Sequence, residues 1–112
     1  MKYKNTLQKG TVRFVIFKEN SAWYAAALEF NIVEAGDTPQ EALLLLFESV
    51  QGYLESARKI KARPNILNQK IDPEYEAMWR ALQNQTQKSF SQNLYAAGRL
   101  NLTGRNLGML PA

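Results

Sequence analysis

A strongly marked helix start lies near the middle of the chain, where residues 36–41 read Gly-Asp-Thr-Pro-Gln-Glu. Thr38 has the side chain of a helix N-cap, Pro39 suits the first helical position, and Glu41 stands where a capping box reaches back to the Thr38 amide. Apolar residues then recur at three- and four-residue spacing: Ala42, Leu43, Leu46, Phe47, Val50, Tyr53, Leu54 and Ala57. This period predicts an amphipathic helix over residues 39–58, about 30 Å long, whose apolar face packs on another element.

One flank of this helix carries a line of small residues, in which Leu45 is followed by Ser49, Gly52 and Ser56. Small side chains allow a second element to approach closely. A helix face in contact with water tolerates them equally well. The sequence leaves both interpretations open.

The segments before the helix have the composition of β-strands. Residues 11–18 are rich in β-branched and aromatic residues on two alternating faces. Residues 23–29 return as a second strand after a turn at residues 19–22, and their alanines leave room for the helix to lie close. A short third strand is predicted over residues 32–35. We therefore expect an α+β fold, with a three- to four-stranded antiparallel-type sheet and one long helix packed on one face.

The chain after the helix completes the predicted β-β-β-α-β order. A fourth strand is expected at a sheet edge within residues 60–69, and Asp72 with Pro73 predicts the start of a second, C-terminal helix. Residues 1–70 would then form the α+β domain. Residues 71–112 would form the C-terminal helix and a tail, packed on the first part or on another subunit.

The second helix carries a narrow apolar stripe that extends toward residue 87 and consists of Tyr75, Met78, Trp79 and Leu82. Together with the leucines of the tail, this stripe exceeds what one small sheet-and-helix core covers. We therefore expect a homo-oligomer with the stripe as its interface. The tail alternates apolar residues around Thr103-Gly104-Arg105, which fits a hairpin. A tail over residues 89–112 that is ordered only against a partner fits as well.

The residue types of the chain argue against catalysis. There is no cysteine and no histidine, which removes thiol nucleophiles, imidazole bases and the usual zinc ligands. No phosphate-binding glycine loop or nucleophile elbow is visible, and helix capping explains the proximity of Asp37 and Glu41. We expect no enzyme activity, no metal and no cofactor. Without a signal-peptide-like segment or an apolar run of membrane-spanning length, we expect a cytoplasmic protein that does not enter a membrane.

The charges are segregated along the chain, although the net charge is only +4. Residues 19–55 contain acids and no Lys or Arg, while the blocks on either side are basic. We expect these blocks to complement one another inside the fold. The sharper alternative is an acidic surface that attracts a partner of opposite charge. A basic cluster follows and offers possible nucleic-acid contacts: Arg58, Lys59, Lys61 and Arg63.

Three features of the sequence occur together. Three strands precede a helix, Trp23-Tyr24 opens the second strand, and residues 36–43 read Gly-Asp-Thr-Pro-Gln-Glu-Ala-Leu. In these features the chain resembles the N-terminal domain of the HicB-like antitoxin family. The resemblance covers roughly residues 11–58. It implies a partial ribonuclease H-like fold without nuclease activity. Glu29-Phe30-Asn31 replaces the Pro-Gly-Cys-like tripeptide usual in the family, and the C-terminal half has no recognisable DNA-reading module.

The resemblance also implies a function, that of a non-catalytic protein-binding module which neutralises a small HicA-like mRNA interferase. The expected partner-binding residues lie on the acidic helix and the neighbouring strands: Trp23, Tyr24, Glu29, Phe30, Glu34 and Glu48. The alternative is a stand-alone HicB-like regulator that binds nucleic acid.

Overall fold

The computed structural model describes Asn5, residues 10–83, residues 94–101 and residues 108–110. Along the chain its elements are β1 (Thr11–Glu19), β2 (Ala22–Ala27), β3 (Ile32–Gly36), α1 (Pro39–Lys59), a 3₁₀ helix (Pro64–Leu67), α2 (Pro73–Gln83), β4 (Leu94–Asn101) and β5 (Gly108–Leu110). The α+β class is confirmed, as are the three strands before the long helix and the second helix after it.

One antiparallel sheet joins these strands in the order β3-β2-β1-β4-β5. β1 is the central strand, with β2 on one side and β4 on the other. The sheet is therefore wider than the three to four strands predicted. β3 and β5 lie at its two edges, each with one neighbour among the strands just named.

The predicted fourth strand within residues 60–69 is wrong, because Pro64–Leu67 form a 3₁₀ helix. The side-chain amide nitrogen of Asn68 donates to the carbonyl oxygen of Pro64 at 2.8 Å, so backbone groups of this segment are satisfied locally and not in a sheet ladder. The strand that joins β1 comes from the tail, at Leu94–Asn101.

The hairpin predicted in the tail is confirmed for its two strands, since Leu100 pairs with Met109 and Asn101 with Gly108. The turn residues around Gly104 lie outside the described part of the chain. The predicted extension of the second helix beyond residue 83 lies outside it too.

α1 begins where the capping pattern predicts. Thr38 Oγ1 accepts from the Glu41 amide at 3.0 Å. Glu41 Oε1, however, accepts from the Asp37 amide at 2.7 Å, one residue earlier than the expected Thr38 amide. Gly36 makes room for this contact, since a Cβ there would lie 2.9 Å from Glu41 Oε1 and 2.8 Å from the Ala42 nitrogen.

Each face of the sheet carries one helix, and the two helices lie over different halves of it. α1 covers β3 and β2 on one face, and α2 covers β4 and β1 on the other. The buried residues of α1 follow the predicted period: Ala42, Leu46, Val50, Leu54 and Ala57. Ala25 and Ala27 of β2 are buried in the same cluster, so the small side chains of β2 do allow close helix packing.

The line of small residues on α1 contacts β3 through Ser49 but is open at Gly52, so Gly52 is the position that tests it. A Cβ at Gly52 meets nothing within 4 Å. We expect Gly52→Ala to raise the free energy of unfolding by about 0.5–1 kcal/mol, because alanine loses less backbone entropy in a helix. Urea denaturation followed by circular dichroism measures this change. A lower stability would contradict the arrangement, because it would mean that another element already packs on this line.

Candidate functional site

Two of the predicted partner-binding residues lie inside the fold and need correction. Phe30 is 2% exposed and its ring centroid lies 5.1 Å from that of Tyr53, while Glu29 is 9% exposed. Gln69 closes over their turn, with its amide donating to the Glu29 carbonyl at 2.8 Å and its side chain to the Phe30 carbonyl at 3.2 Å. Neither side chain faces a partner in this arrangement.

The other predicted partner residues reach the surface to different degrees. Trp23 and Tyr24 are half-buried on opposite faces of β2, so one partner surface does not include both side chains. Glu34 of β3 accepts a hydrogen bond from the Ser49 hydroxyl of α1. Glu48 is exposed on α1. The structure thus keeps Glu34 and Glu48 on the side of the molecule formed by β3 and α1.

An acidic stripe, which we define as Glu41, Leu44, Glu48 and Glu55, runs along the outer face of α1. The three acids recur every seventh residue and so share nearly one angular position, about 10 Å apart along the axis. All three are exposed, and Leu44 between them is 59% exposed. The stripe is a surface of one charge sign with an apolar residue inside it.

β3 and the turn that leads into α1 add two further acids near the acidic stripe. Glu34 lies on β3, and exposed Asp37 follows it. Residues 32–57, which form β3 and nearly all of α1, contain no Lys or Arg. One acid of residues 19–55 does pair with a base inside the fold. It is Glu29, whose Oε2 accepts from Arg13 Nε at 2.7 Å.

A charged cluster lies on the opposite face of the sheet, between β1, β4 and α2. Arg13 Nη1 donates to Glu76 Oε2 at 2.9 Å, in addition to its bond with Glu29. The Arg13 amide also donates to Glu29 Oε1 at 2.8 Å. The guanidinium carbons of Arg13 and Arg99, which are partners across β1 and β4, lie 5.4 and 5.0 Å from the ring centroid of Trp79. Sequence reasoning missed this cluster, whose one signal was a charged Arg13 within an apolar strand.

A cavity of about 150 Å³ adjoins this cluster. It is lined by Asn5, Thr11, Arg13, Glu29, Trp79 and Arg99. Arg13 forms ion pairs with both Glu29 and Glu76, the second of which lies on α2. Burial alone lowers the pKa of Arg13, but hydrogen bonds and charges of Glu29 and Glu76 raise it above its ordinary value overall. The cluster therefore connects α2 to the sheet.

The apolar stripe predicted as an oligomer interface packs within the chain. Trp79 is 5% and Leu82 7% exposed, in one cluster with residues of β1 and β2. Tyr75 and Met78 are partly buried at its margin, and the Tyr75 ring centroid lies 5.8 Å from that of Phe17. The sheet supplies the apolar partner because β4 widens it beneath α2. Trp79 and Leu82 are therefore core residues of the single chain, while Tyr75 and Met78 keep part of their surface exposed.

The predicted nucleic-acid residues are exposed at the end of α1 and in the loop beyond it. They are Arg58, Lys59, Lys61 and Arg63. Ile60, 74% exposed, lies among them. Cations near a helix C-terminus also interact favourably with the helix dipole, so a structural role accounts for Arg58 and Lys59 as well.

A scan against protein-family models, a search of curated proteins and a search of solved structures each gave no match to this chain. Within the described ranges, no three Asp or Glu side chains gather closely enough to hold a metal ion. In the same ranges, neither helix combines the length and the apolar character that crossing a membrane requires.

Removing Glu29 should destabilise the fold, because the partly buried Arg13 charge then keeps only Glu76. We expect Glu29→Ala to lower the free energy of unfolding by about 2–3 kcal/mol. Glu29→Gln should cost less, since its carbonyl oxygen still accepts from the Arg13 amide. Glu76→Ala should also cost less, because the Glu76 side chain is 26% exposed against 12% for Glu29. Urea denaturation compares the three variants, and equal losses would contradict the assigned geometry.

Stability should fall at alkaline pH because of Tyr75. Burial raises the pKa of Tyr75 above 10.0, and the negative charges of Asp72, Glu74 and Glu19 raise it further. The folded state holds this proton more tightly than the unfolded state, so the associated stability is present below pH 10.0 and is lost as pH rises through the folded pKa. Tyr75→Phe should flatten the decline in unfolding free energy as pH rises above 10.0. An unchanged slope in urea titrations at these pH values would count against it.

Proposed function

We propose that this chain is a non-catalytic, cytoplasmic protein-binding module resembling HicB-type antitoxins, which neutralises a small HicA-like mRNA interferase. The proposal is supported by the resemblance over residues 11–58. The acidic stripe is the structural observation that carries it: an exposed line of carboxylates on α1, within a segment, residues 32–57, that contains no Lys or Arg.

The chemistry of an RNA-cleaving partner suits this surface. A protein that binds RNA needs Lys and Arg to contact phosphates, so its substrate surface is basic. Carboxylates along α1 attract the same basic side chains and occupy the place of the phosphates. Leu44 supplies an apolar contact inside the charged stripe, as interfaces commonly have. Binding at this stripe would therefore exclude RNA from the partner.

Oligomerisation is a separate proposal. Trp79 and Leu82 are buried within the chain, so a homo-oligomer would use other surfaces, with or without the partly buried Tyr75 and Met78. Light scattering measures the mass of the protein in solution, and a stable monomer near 12.8 kDa would refute oligomerisation.

Co-expression tests the antitoxin function directly. The product of a small adjacent reading frame should be toxic alone, harmless with this chain, and retained by it in a pull-down. Failure of every adjacent frame to show toxicity or binding would leave the proposal without support.

The acidic stripe is tested by charge reversal. We expect Glu48→Lys to weaken binding of the toxin by about tenfold or more, roughly 1.4 kcal/mol. Glu74→Lys is the matched control, since Glu74 is an exposed acid on α2 and its reversal changes net charge equally. Calorimetry of both variants measures the effect. Equal weakening would mean that net charge, and not the stripe, governs binding.

The exposed basic cluster favours a second candidate, a stand-alone regulator that binds nucleic acid. Residues 56–71 contain Lys and Arg but no acid. Gel-shift titration at two salt concentrations discriminates, because phosphate contacts predict a steep loss of affinity as salt rises. A double substitution of Lys61 and Arg63 by Gln should reduce that salt dependence, and the absence of any shift at low salt would exclude this candidate.

A further inference from the structure

β3 is an edge strand that has no lysine, proline or bulge to guard it against pairing. It pairs with β2 in an unbroken register and has no second neighbour among the strands described, so its outer edge offers unpaired backbone groups. Natural edges are commonly protected by Lys, Pro, bulges or inward-pointing charges. The sequence Ile-Val-Glu-Ala-Gly of β3 has neither Lys nor Pro. Its one charge, Glu34, points toward α1, where the Ser49 hydroxyl donates to it. This inward-pointing acid guards the edge against acidic or uncharged strands, whereas a basic strand neutralises it.

The two faces beside this edge differ in chemistry. On the face opposite α1, α2 covers β1 and β4, and Val33 is 39% exposed with Ala35 also exposed. On the other face, the bond from Ser49 to Glu34 places the small-residue flank of α1 beside β3. Open space remains above Gly52 of that flank. A strand added to β3 would therefore meet the apolar side chains of Val33 and Ala35 on one face. On the other face it would meet the Glu34 carboxylate, with the open space at Gly52 of α1 beside it.

We propose that the β3 edge binds an extended segment of a basic protein partner, in which apolar and basic side chains alternate. Successive side chains of a strand point to opposite faces, so the apolar ones would lie beside Val33 and Ala35 and the basic ones beside Glu34. The inference deepens the proposed function, since a basic toxin would supply this segment by adding a strand to the sheet.

The negative charge of Glu34, at the centre of β3, favours a basic segment over a second copy of the chain as the binding partner of this edge. Glu34 is the middle residue of Ile32–Gly36, so centred antiparallel pairing of two β3 strands would place Glu34 opposite Glu34. Like charges directly opposite each other destabilise a strand pair. The acids on the adjacent helix would add to the repulsion. A basic strand would meet attraction at the same positions.

A synthetic octapeptide of alternating Lys and Val tests the edge without any toxin. The control peptide replaces one central Val by Pro, which keeps the charge but cannot donate to the ladder. Amide hydrogen exchange of the full chain should slow at residues 32–36 with the alternating peptide and not with the control. Equal effects of both peptides, protection confined to other residues, or no binding at all would overturn the proposal.

A substitution on the chain provides the second arm. Val33→Lys should weaken the binding of the alternating peptide to the chain by about tenfold, because an edge lysine guards against strand addition. Ile60→Lys is the matched control, as Ile60 is exposed outside the edge. Equal losses in both variants, or none in either, would contradict docking at β3.

The peptide experiment separates this inference from the proposed function. Peptide binding at residues 32–36 supports the edge even where no adjacent reading frame encodes a toxin. A toxin that binds the chain while leaving exchange at residues 32–36 unchanged refutes the edge and retains the antitoxin function. Self-association of the chain through residues 32–36 in the absence of peptide refutes the choice of a basic partner.

Discussion

The close packing of α1 on β2 and β3 is the interaction on which the rest of the structure depends. It is possible because Ala25 and Ala27 of the sheet meet Ala42 of the helix, and all three are essentially fully buried. The Thr38 cap fixes where the helix begins, and Gly36 lets the chain turn into it without a clash. This packing holds the outer face of α1 away from the core. Its carboxylates are therefore placed in solvent by the same contacts that stabilise the fold.

Interactions between residues close in sequence made α1 and the strands before it predictable. Thr38 and Pro39 mark a helix start through interactions within a few residues, and the period of Leu46, Val50 and Leu54 identifies the buried face directly. Strand alternation around Phe14 likewise needs no distant partner. Each of these signals is short in range, so the sequence contains it completely.

Contacts between distant segments were not predictable in the same way. β4 pairs with β1 across most of the length of the chain, and its Ala and Gly residues give a weak strand pattern. Without β4, Trp79 had no visible partner, which made its burial look like a subunit interface. Glu29 was predicted to face a partner from the resemblance and the acidic block, and its ion pair with Arg13 of β1 depends on the folded sheet.

The functional account rests on the acidic stripe and the β3 edge forming one continuous partner surface. Hydrogen exchange of the whole chain, with and without the protein encoded by an adjacent reading frame, measures that surface most directly. The account predicts slowed exchange in residues 32–36 together with residues 41–55, while residues 58–63 remain unchanged. Slowed exchange confined to residues 58–63, or a complex that changes neither β3 nor α1, would contradict it.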